Sequence, residues 1–167
     1  MVLNEKKYIS KQLNIKLKGM GKKVKAENSF STVISKASRL LANRISKNLS
    51  KHQVTAEQWT ILANLWQHNG QTQQALANFS NKNKASITHL IDNLEKRKLV
   101  ERQADDTDRR NKKIFLTEEG KELQEELSKI VKKTIKQATE GIDKKEVKTA
   151  KKVLKSIIGN LAAPDKP

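Results

Sequence analysis

The chain contains no cysteine. That excludes disulfides, thiolate metal sites, a cysteine nucleophile and thiol-based redox sensing. Proline and glycine are scarce, 2 and 6 in 167 residues. So few chain breakers favour long helices over a strand-rich sandwich. Apolar residues make up only 35 % against 32 % charged, a low fraction for a self-contained globule, so a core has to come from narrow stripes on long helices. No apolar run approaches the ~20 residues of a membrane span, and Met1–Lys7 lacks a signal-peptide core. The expectation is a soluble protein of a reducing cytoplasm, with no membrane partner. Acidic residues are outnumbered, 18 against 35 basic, for a net charge of +17. Charge of this size points to a polyanionic partner.

The positive charge is distributed unevenly. Residues 1–28 carry a net +6, residues 29–129 a net +5 and residues 130–167 a net +6. In the middle stretch the acids gather at Glu118, Glu119, Glu122, Glu125 and Glu126. The bases gather at Lys82 and Lys84, at Lys96-Arg97-Lys98, and at Arg109, Arg110, Lys112 and Lys113. Segregation of this kind suits a binding face better than a uniform solubilising coat.

Residues 1–28 form a basic N-terminal extension that fits either a weak amphipathic helix or a disordered arm. From Phe30 the pattern sharpens. Phe30, Val33, Ile34, Ala37, Leu40, Leu41, Ile45 and Leu49 fall on one stripe of a long helix, and Ser29 is placed to cap it. Thr55 and Gln58 make a capping box for a second helix carrying Trp59, Ile61, Leu62, Leu65 and Trp66, which Asn69-Gly70 stops. Thr72 caps a short third helix with Ala75, Leu76 and Phe79. After the polar turn Ser80–Asn83, the spacing of Ile87, Leu90, Ile91 and Leu94 predicts a fourth helix over residues 84–98.

The period then changes. Leu99–Arg102 and Lys113–Leu116 are short strand-like runs around the polar stretch Asp105–Asn111, a β-hairpin with a long charged tip. Thr117 caps a fifth helix with Leu123, Leu127, Ile130, Val131, Ile135 and Ala138, ended by Gly141. Asp143 caps a sixth with Val147, Ala150, Val153, Leu154, Ile157, Ile158 and Leu161. The fold class is therefore mainly α with a small β-hairpin: a winged helix-turn-helix flanked by long N- and C-terminal dimerisation helices. The corresponding division is an extension over 1–28, a dimerisation helix over 29–50, a DNA-binding domain over 51–116 and C-terminal dimerisation helices over 117–167. The flanking stripes are too apolar for solvent, and a second copy of the chain is the simplest cover.

In this architecture the fourth helix is the recognition helix. With its apolar positions buried, Lys84, Ser86, Thr88, His89, Asp92 and Asn93 lie on the other faces. A small, polar, basic first turn suits a major groove roughly 12 Å wide. Lys84 and His89 are donors for guanine, Asn93 matches an adenine edge, and Ser86 and Thr88 suit phosphates or base edges. Lys82 precedes the helix and Lys112 follows the hairpin tip. At the tip stands Asp108-Arg109-Arg110. An arginine there suits a narrow minor groove, and an aspartate two residues earlier can orient its guanidinium.

The stretch Thr55–Leu127 resembles the MarR (multiple antibiotic resistance regulator) family of winged-helix transcription factors. The resemblance is carried by Thr55-Ala56-Glu57-Gln58-Trp59 with Ile61-Leu62, and by Thr72-Gln73-Gln74-Ala75-Leu76-Ala77. It continues through Leu90-Ile91-Asp92-Asn93-Leu94-Glu95, Leu99-Val100-Glu101-Arg102, Asp108-Arg109-Arg110 and Ile114-Phe115-Leu116-Thr117-Glu118-Glu119-Gly120. The family's Asp-x-Arg wing signature falls on Asp108 and Arg110. The resemblance implies a homodimer, recognition helices in adjacent major grooves and wing arginines in the minor groove. It also implies a small aromatic or anionic effector, in a cleft that Phe30, Arg39, Trp59 and Trp66 would line if they do not simply pack in the core. The chain departs from the family at Lys98, where a glycine is frequent, and at His89, where Arg or Lys is usual.

Other chemistry finds little support. His52, His68 and His89 lie on different elements without ligand spacing. There is no glycine-rich phosphate loop and no nucleophile with a base, so neither cofactor nor catalysis is expected. The reading is a sequence-specific, double-stranded DNA-binding regulator, a homodimer on a palindromic operator and a ligand-responsive repressor. Its rivals are a non-specific architectural DNA- or RNA-binding protein and a winged-helix protein-interaction module.

Overall fold

A computed structural model describes residues 29–104 and 112–162. The chain divides into two compact units, residues 1–40 and 41–167. The first holds the opening turns of helix α1 (Phe30–Asn48). As expected, Ser29 caps it: its Oγ accepts from the Thr32 amide at 3.3 Å and its carbonyl from the Val33 amide at 3.0 Å.

The second unit begins with the end of α1, where Ile45 is buried, and with Leu49, before a short 3-10 turn at Ser50–His52. Helix α2 (Ala56–Leu65) opens on the expected capping box. The Gln58 amide donates to Thr55 Oγ1 at 3.2 Å, and the Thr55 amide donates to Gln58 Oε1 at 2.9 Å. Strand β1 (Gln71–Thr72) and helix α3 (Gln73–Ser80) follow, with Thr72 accepting from the Ala75 amide as cap. Helix α4 (Lys84–Lys96) leads into the antiparallel pair β2 (Val100–Ala104) and β3 (Lys112–Leu116). Helix α5 (Glu118–Ala138), capped by Thr117, and helix α6 (Lys144–Ala162) complete the described chain.

The sheet is larger than the expected two-stranded hairpin. β1 pairs with β3, Gln71 opposite Ile114 and Thr72 opposite Lys113, giving the order β1-β3-β2. Gly70 makes this possible. Its φ of +77° turns the chain onto β3, where its amide donates to the Ile114 carbonyl at 3.1 Å. A Cβ at Gly70 would stand 2.6 Å from the Phe115 ring. A strand of two residues has no periodicity, so no apolar alternation announces it.

One continuous core joins these elements. Ile61, Leu62 and Leu65 of α2, Leu76 of α3, and Ile87, Ile91 and Leu94 of α4 are all fully buried. Ile114 of β3 and Leu127 and Val131 of α5 close it. Asn48 ties the end of α1 to α5 by donating to the buried Thr134 hydroxyl at 2.8 Å. On the exposed side of α5, Lys129 beside Glu125 holds that carboxyl below its usual value, through a hydrogen bond first and charge second. No residue of α6 is buried. Among the described residues no helix is long and apolar enough to cross a membrane.

Helix α4 ends at Lys96, two residues before the expected Lys98, because Lys98 adopts a left-handed φ of 56°. A β-carbon is strained there and glycine is not. Lys98→Gly is therefore expected to leave stability unchanged or raise it by up to about 1 kcal/mol, despite the added freedom of the unfolded chain. A urea titration at fixed protein concentration checks this, and a loss beyond 1 kcal/mol would mean that the lysine side chain holds the turn.

Candidate nucleic-acid interface

The outward face of α4 is set by the turn before it. Asn81 ends α3 with a left-handed φ of 49°. Two residues later Asn83 starts α4, its Oδ1 accepting from the Ser86 amide at 2.8 Å. The chain thus turns within three residues between two helices. α4 buries Ile87, Leu90, Ile91 and Leu94 on one side. Lys84, Ser86 and His89 are exposed on the other, and Thr88 is half-buried.

The residues expected to face a partner differ in their freedom. Thr88 donates to the Lys84 carbonyl at 2.9 Å and accepts from Gln73 Nε2 at 3.3 Å, which links α4 to α3. Lys82 is paired with Glu57 at 2.5 Å. Lys82, Ser86 and His89 line one shallow surface depression together with Glu57. Asn93 does not present a free amide: its Nδ2 donates to the His89 carbonyl at 2.9 Å and lies 3.1 Å from His89 Nδ1. Reading an adenine with Asn93 would require breaking these bonds. Lys112 is exposed at the start of β3, opposite Ala104. Asp108, Arg109 and Arg110 lie outside the described residues.

Two arginines matter more than the sequence suggested. Arg102 of β2 reaches α4, its Nη2 donating to Asp92 Oδ1 at 2.5 Å and its Nη1 to Glu95 Oε2. Its backbone amide also donates to Glu95 Oε1 at 3.2 Å. Asp92, expected on the outward face, is thereby drawn toward the sheet. The available signal was the spacing of Asp92 and Glu95, which puts two carboxylates on one helix face. Arg97, expected within a basic binding cluster, donates instead to the carbonyls of His52 and Gln53 at 2.6 and 2.7 Å. Backbone acceptors leave no trace in a sequence pattern, so that role was not legible.

This arrangement has known counterparts. The sequence model of the MarR family matches residues 54–112. A solved transcriptional regulator, PA3341, is 30 % identical, superposes with a TM-score of 0.70, and is matched over 98 % of its own length and 80 % of this chain. The chain belongs to the MarR family. A MarR-family regulator from Rhodococcus sp. RHA1 is 27 % identical, with a TM-score of 0.72 over 78 % of this chain and 95 % of that one. CouR from Rhodococcus jostii RHA1, solved with p-coumaroyl-CoA bound, is 25 % identical, with a TM-score of 0.71 over 78 % and 92 %. As a MarR-family member the protein is a DNA-binding transcriptional regulator.

The matched span runs from Val54 to Lys112 and so contains α2, β1, α3, α4 and β2. The four residues expected at an effector cleft are placed unequally. Trp59 and Trp66 both pack against the core. The Trp66 indole donates to the Gly120 carbonyl at 2.9 Å, whereas the buried Trp59 indole N–H has no partner among the described residues. Phe30 and Arg39 are exposed.

Proposed function

We propose that this MarR-family protein acts as a homodimeric repressor on a palindromic operator and releases it when a small aromatic or anionic effector binds. The observation that carries sequence-specific binding is α4 itself: its apolar side is fully committed to the core, and its first two turns present Lys84, Ser86 and His89 to the outside. Lys84, Ser86, Thr88 and His89 contact the major groove, while Lys82, Lys112 and, after rearrangement, Asn93 add phosphate or base contacts. Arg110, oriented by Asp108 and accompanied by Arg109, enters the minor groove. Homodimerisation is supported by the apolar residues that α6 leaves open: Val153, Leu154, Ile158 and Leu161 are 42–81 % exposed in a single chain. An effector is supported by the unpartnered Trp59 N–H, since a buried donor without an acceptor costs ~1–3 kcal/mol. It is further supported by the acyl-CoA bound to CouR. Selection of bound fragments from sheared genomic DNA, followed by footprinting, tests the operator. A footprint with two-fold symmetry and half-sites about one helical turn apart is expected, and a non-palindromic one counts against the proposal.

The wing gives a second test that separates position from charge. Arg110→Ala is expected to weaken specific binding by ~1–3 kcal/mol. Lys22→Ala and Lys25→Ala each remove the same charge from the N-terminal extension. If net charge alone binds DNA, all three cost the same and lower the salt slope by about one. A minor-groove arginine predicts a several-fold larger loss for Arg110→Ala. Asp108→Ala is expected to weaken binding although it removes a negative charge. Tighter binding by Asp108→Ala would show that bulk electrostatics governs the complex.

A further inference from the structure

The only described cation with two carboxylate partners on the recognition helix is Arg102, and it reaches them from the sheet. Its guanidinium side chain is 16 % exposed, and it bridges Asp92 and Glu95, which are themselves 46 % and 38 % exposed. The two carboxylates sit three residues apart on α4, and Arg102 sits opposite Ile114 in the middle of the β2–β3 register. The fork of an arginine can hold two carboxylates at once in a fixed plane, which a lysine cannot. The third bond, from the Arg102 amide to Glu95, fixes the strand's backbone as well as its side chain. At the far end of α4, Arg97 is anchored to the His52 and Gln53 carbonyls. The C-terminal end of the helix is thus held both to the body, through Arg97, and to β2, through Asp92 and Glu95.

We infer that Arg102 is a positioning residue for DNA recognition: it locks β2, and with it the base of the wing, to the recognition helix, so that helix and wing meet the duplex as one rigid body. The inference rests on the reading of α4 as the recognition helix. A wing free to move against the helix would lose orientation on binding, and that loss falls on the specific complex, where both must be in register. Non-specific binding depends on charge near phosphates and tolerates such movement.

The test uses the full-length protein and a duplex that it has itself selected from a random pool, with an unrelated duplex of equal length as control. Arg102→Gln and Arg102→Lys are both expected to weaken the selected duplex on the order of ten-fold, a coupling within the usual range for contacting groups. Affinity for the control duplex should change less than two-fold, and the salt slope on the selected duplex should stay the same. Asp92→Asn with Glu95→Gln approaches the clamp from the other side with near-isosteric changes. It should reproduce the loss, and adding Arg102→Gln to it should cost little more. Circular dichroism confirms that each variant is folded under assay conditions, and the carboxylate variant keeps the test open if Arg102→Gln unfolds. Wild-type-like binding by Arg102→Lys overturns the proposal, because charge alone would then suffice. A salt slope lower by about one, with equal loss on both duplexes, also overturns it, since Arg102 would then be a phosphate contact. Equal binding of both duplexes by the unaltered protein would instead refute the recognition-helix reading on which the inference rests.

Discussion

Gly120→Ala is expected to destabilise the protein by about 2–3 kcal/mol, although alanine is the better helix former. Gly120 lies in the first turn of α5, and its amide donates to the Thr117 hydroxyl that caps the helix, at 3.1 Å. A Cβ built there would stand 2.0 Å from the Leu99 carbonyl oxygen and 3.3 Å from Leu116 Cδ2. The obstacle is backbone, not the end of a flexible side chain. Leu99 is buried, and its carbonyl already accepts from the Thr117 amide at 3.2 Å. Relief therefore requires the start of α5 to back away from the residues that enter β2. That movement strains three further links: Thr117 Oγ1 to the Lys98 carbonyl, the Thr117 amide to Leu99, and the Trp66 indole to the Gly120 carbonyl. The gain in helix propensity is about 1 kcal/mol, and overpacking of this kind costs more than that. Urea unfolding at a fixed protein concentration should show a lower midpoint with an unchanged slope. An equal or higher midpoint would contradict the close approach of α5 to Leu99.

Gly120 also shows where the sequence is legible and where it is not. Its place in Leu116-Thr117-Glu118-Glu119-Gly120 was readable as part of a family resemblance, but the reason for a glycine was not. The reason is a contact with a residue twenty-one positions earlier, and no local pattern encodes it. Four of the helices were legible because each combines a 3.6-residue apolar period with a side-chain cap: Ser29, Thr55, Thr72 and Thr117 all accept the amide bonds their spacing implied. The end of α4 was less legible because Lys98 takes a backbone conformation usually left to glycine. β1 is not legible because two residues form no pattern. In the candidate interface, exposure on α4 followed from helical geometry, so Lys84, Ser86 and His89 fell where expected. Partners did not follow. Asn93 bonds back to His89, Asp92 goes to Arg102, and Arg97 goes to two carbonyls. Polar side chains choose among several acceptors of similar energy, and only the tertiary arrangement decides between them.

The C-terminal helix leads to the other large expected effect. Leu154→Glu together with Ile158→Glu is expected to convert a dimer of about twice 18.9 kDa into a monomer and to weaken operator binding at least a hundred-fold, as a two-site interaction reduced to one half-site. Both residues lie on the apolar stripe of α6, one turn apart, and are 42 % and 66 % exposed in the single chain. Val153 and Leu161 extend the same surface, and no residue of α6 is buried within its own chain. A partner that covers these roughly half-exposed side chains contributes on the order of 1 kcal/mol for each. Two-fold symmetry doubles every substitution, so the double variant places four carboxylates at the interface, where burial without partners is prohibitive. The winged-helix core draws nothing from these two positions. Its unfolding midpoint, compared with that of the unaltered protein at dilutions where both are monomeric, should therefore not move. This separates loss of assembly from loss of fold. Light scattering gives the mass, and titration of the selected duplex gives the affinity. A variant that remains dimeric would show that α6 is not the surface by which two copies meet. A monomer that still binds the operator at full affinity would show that the two recognition helices do not act together.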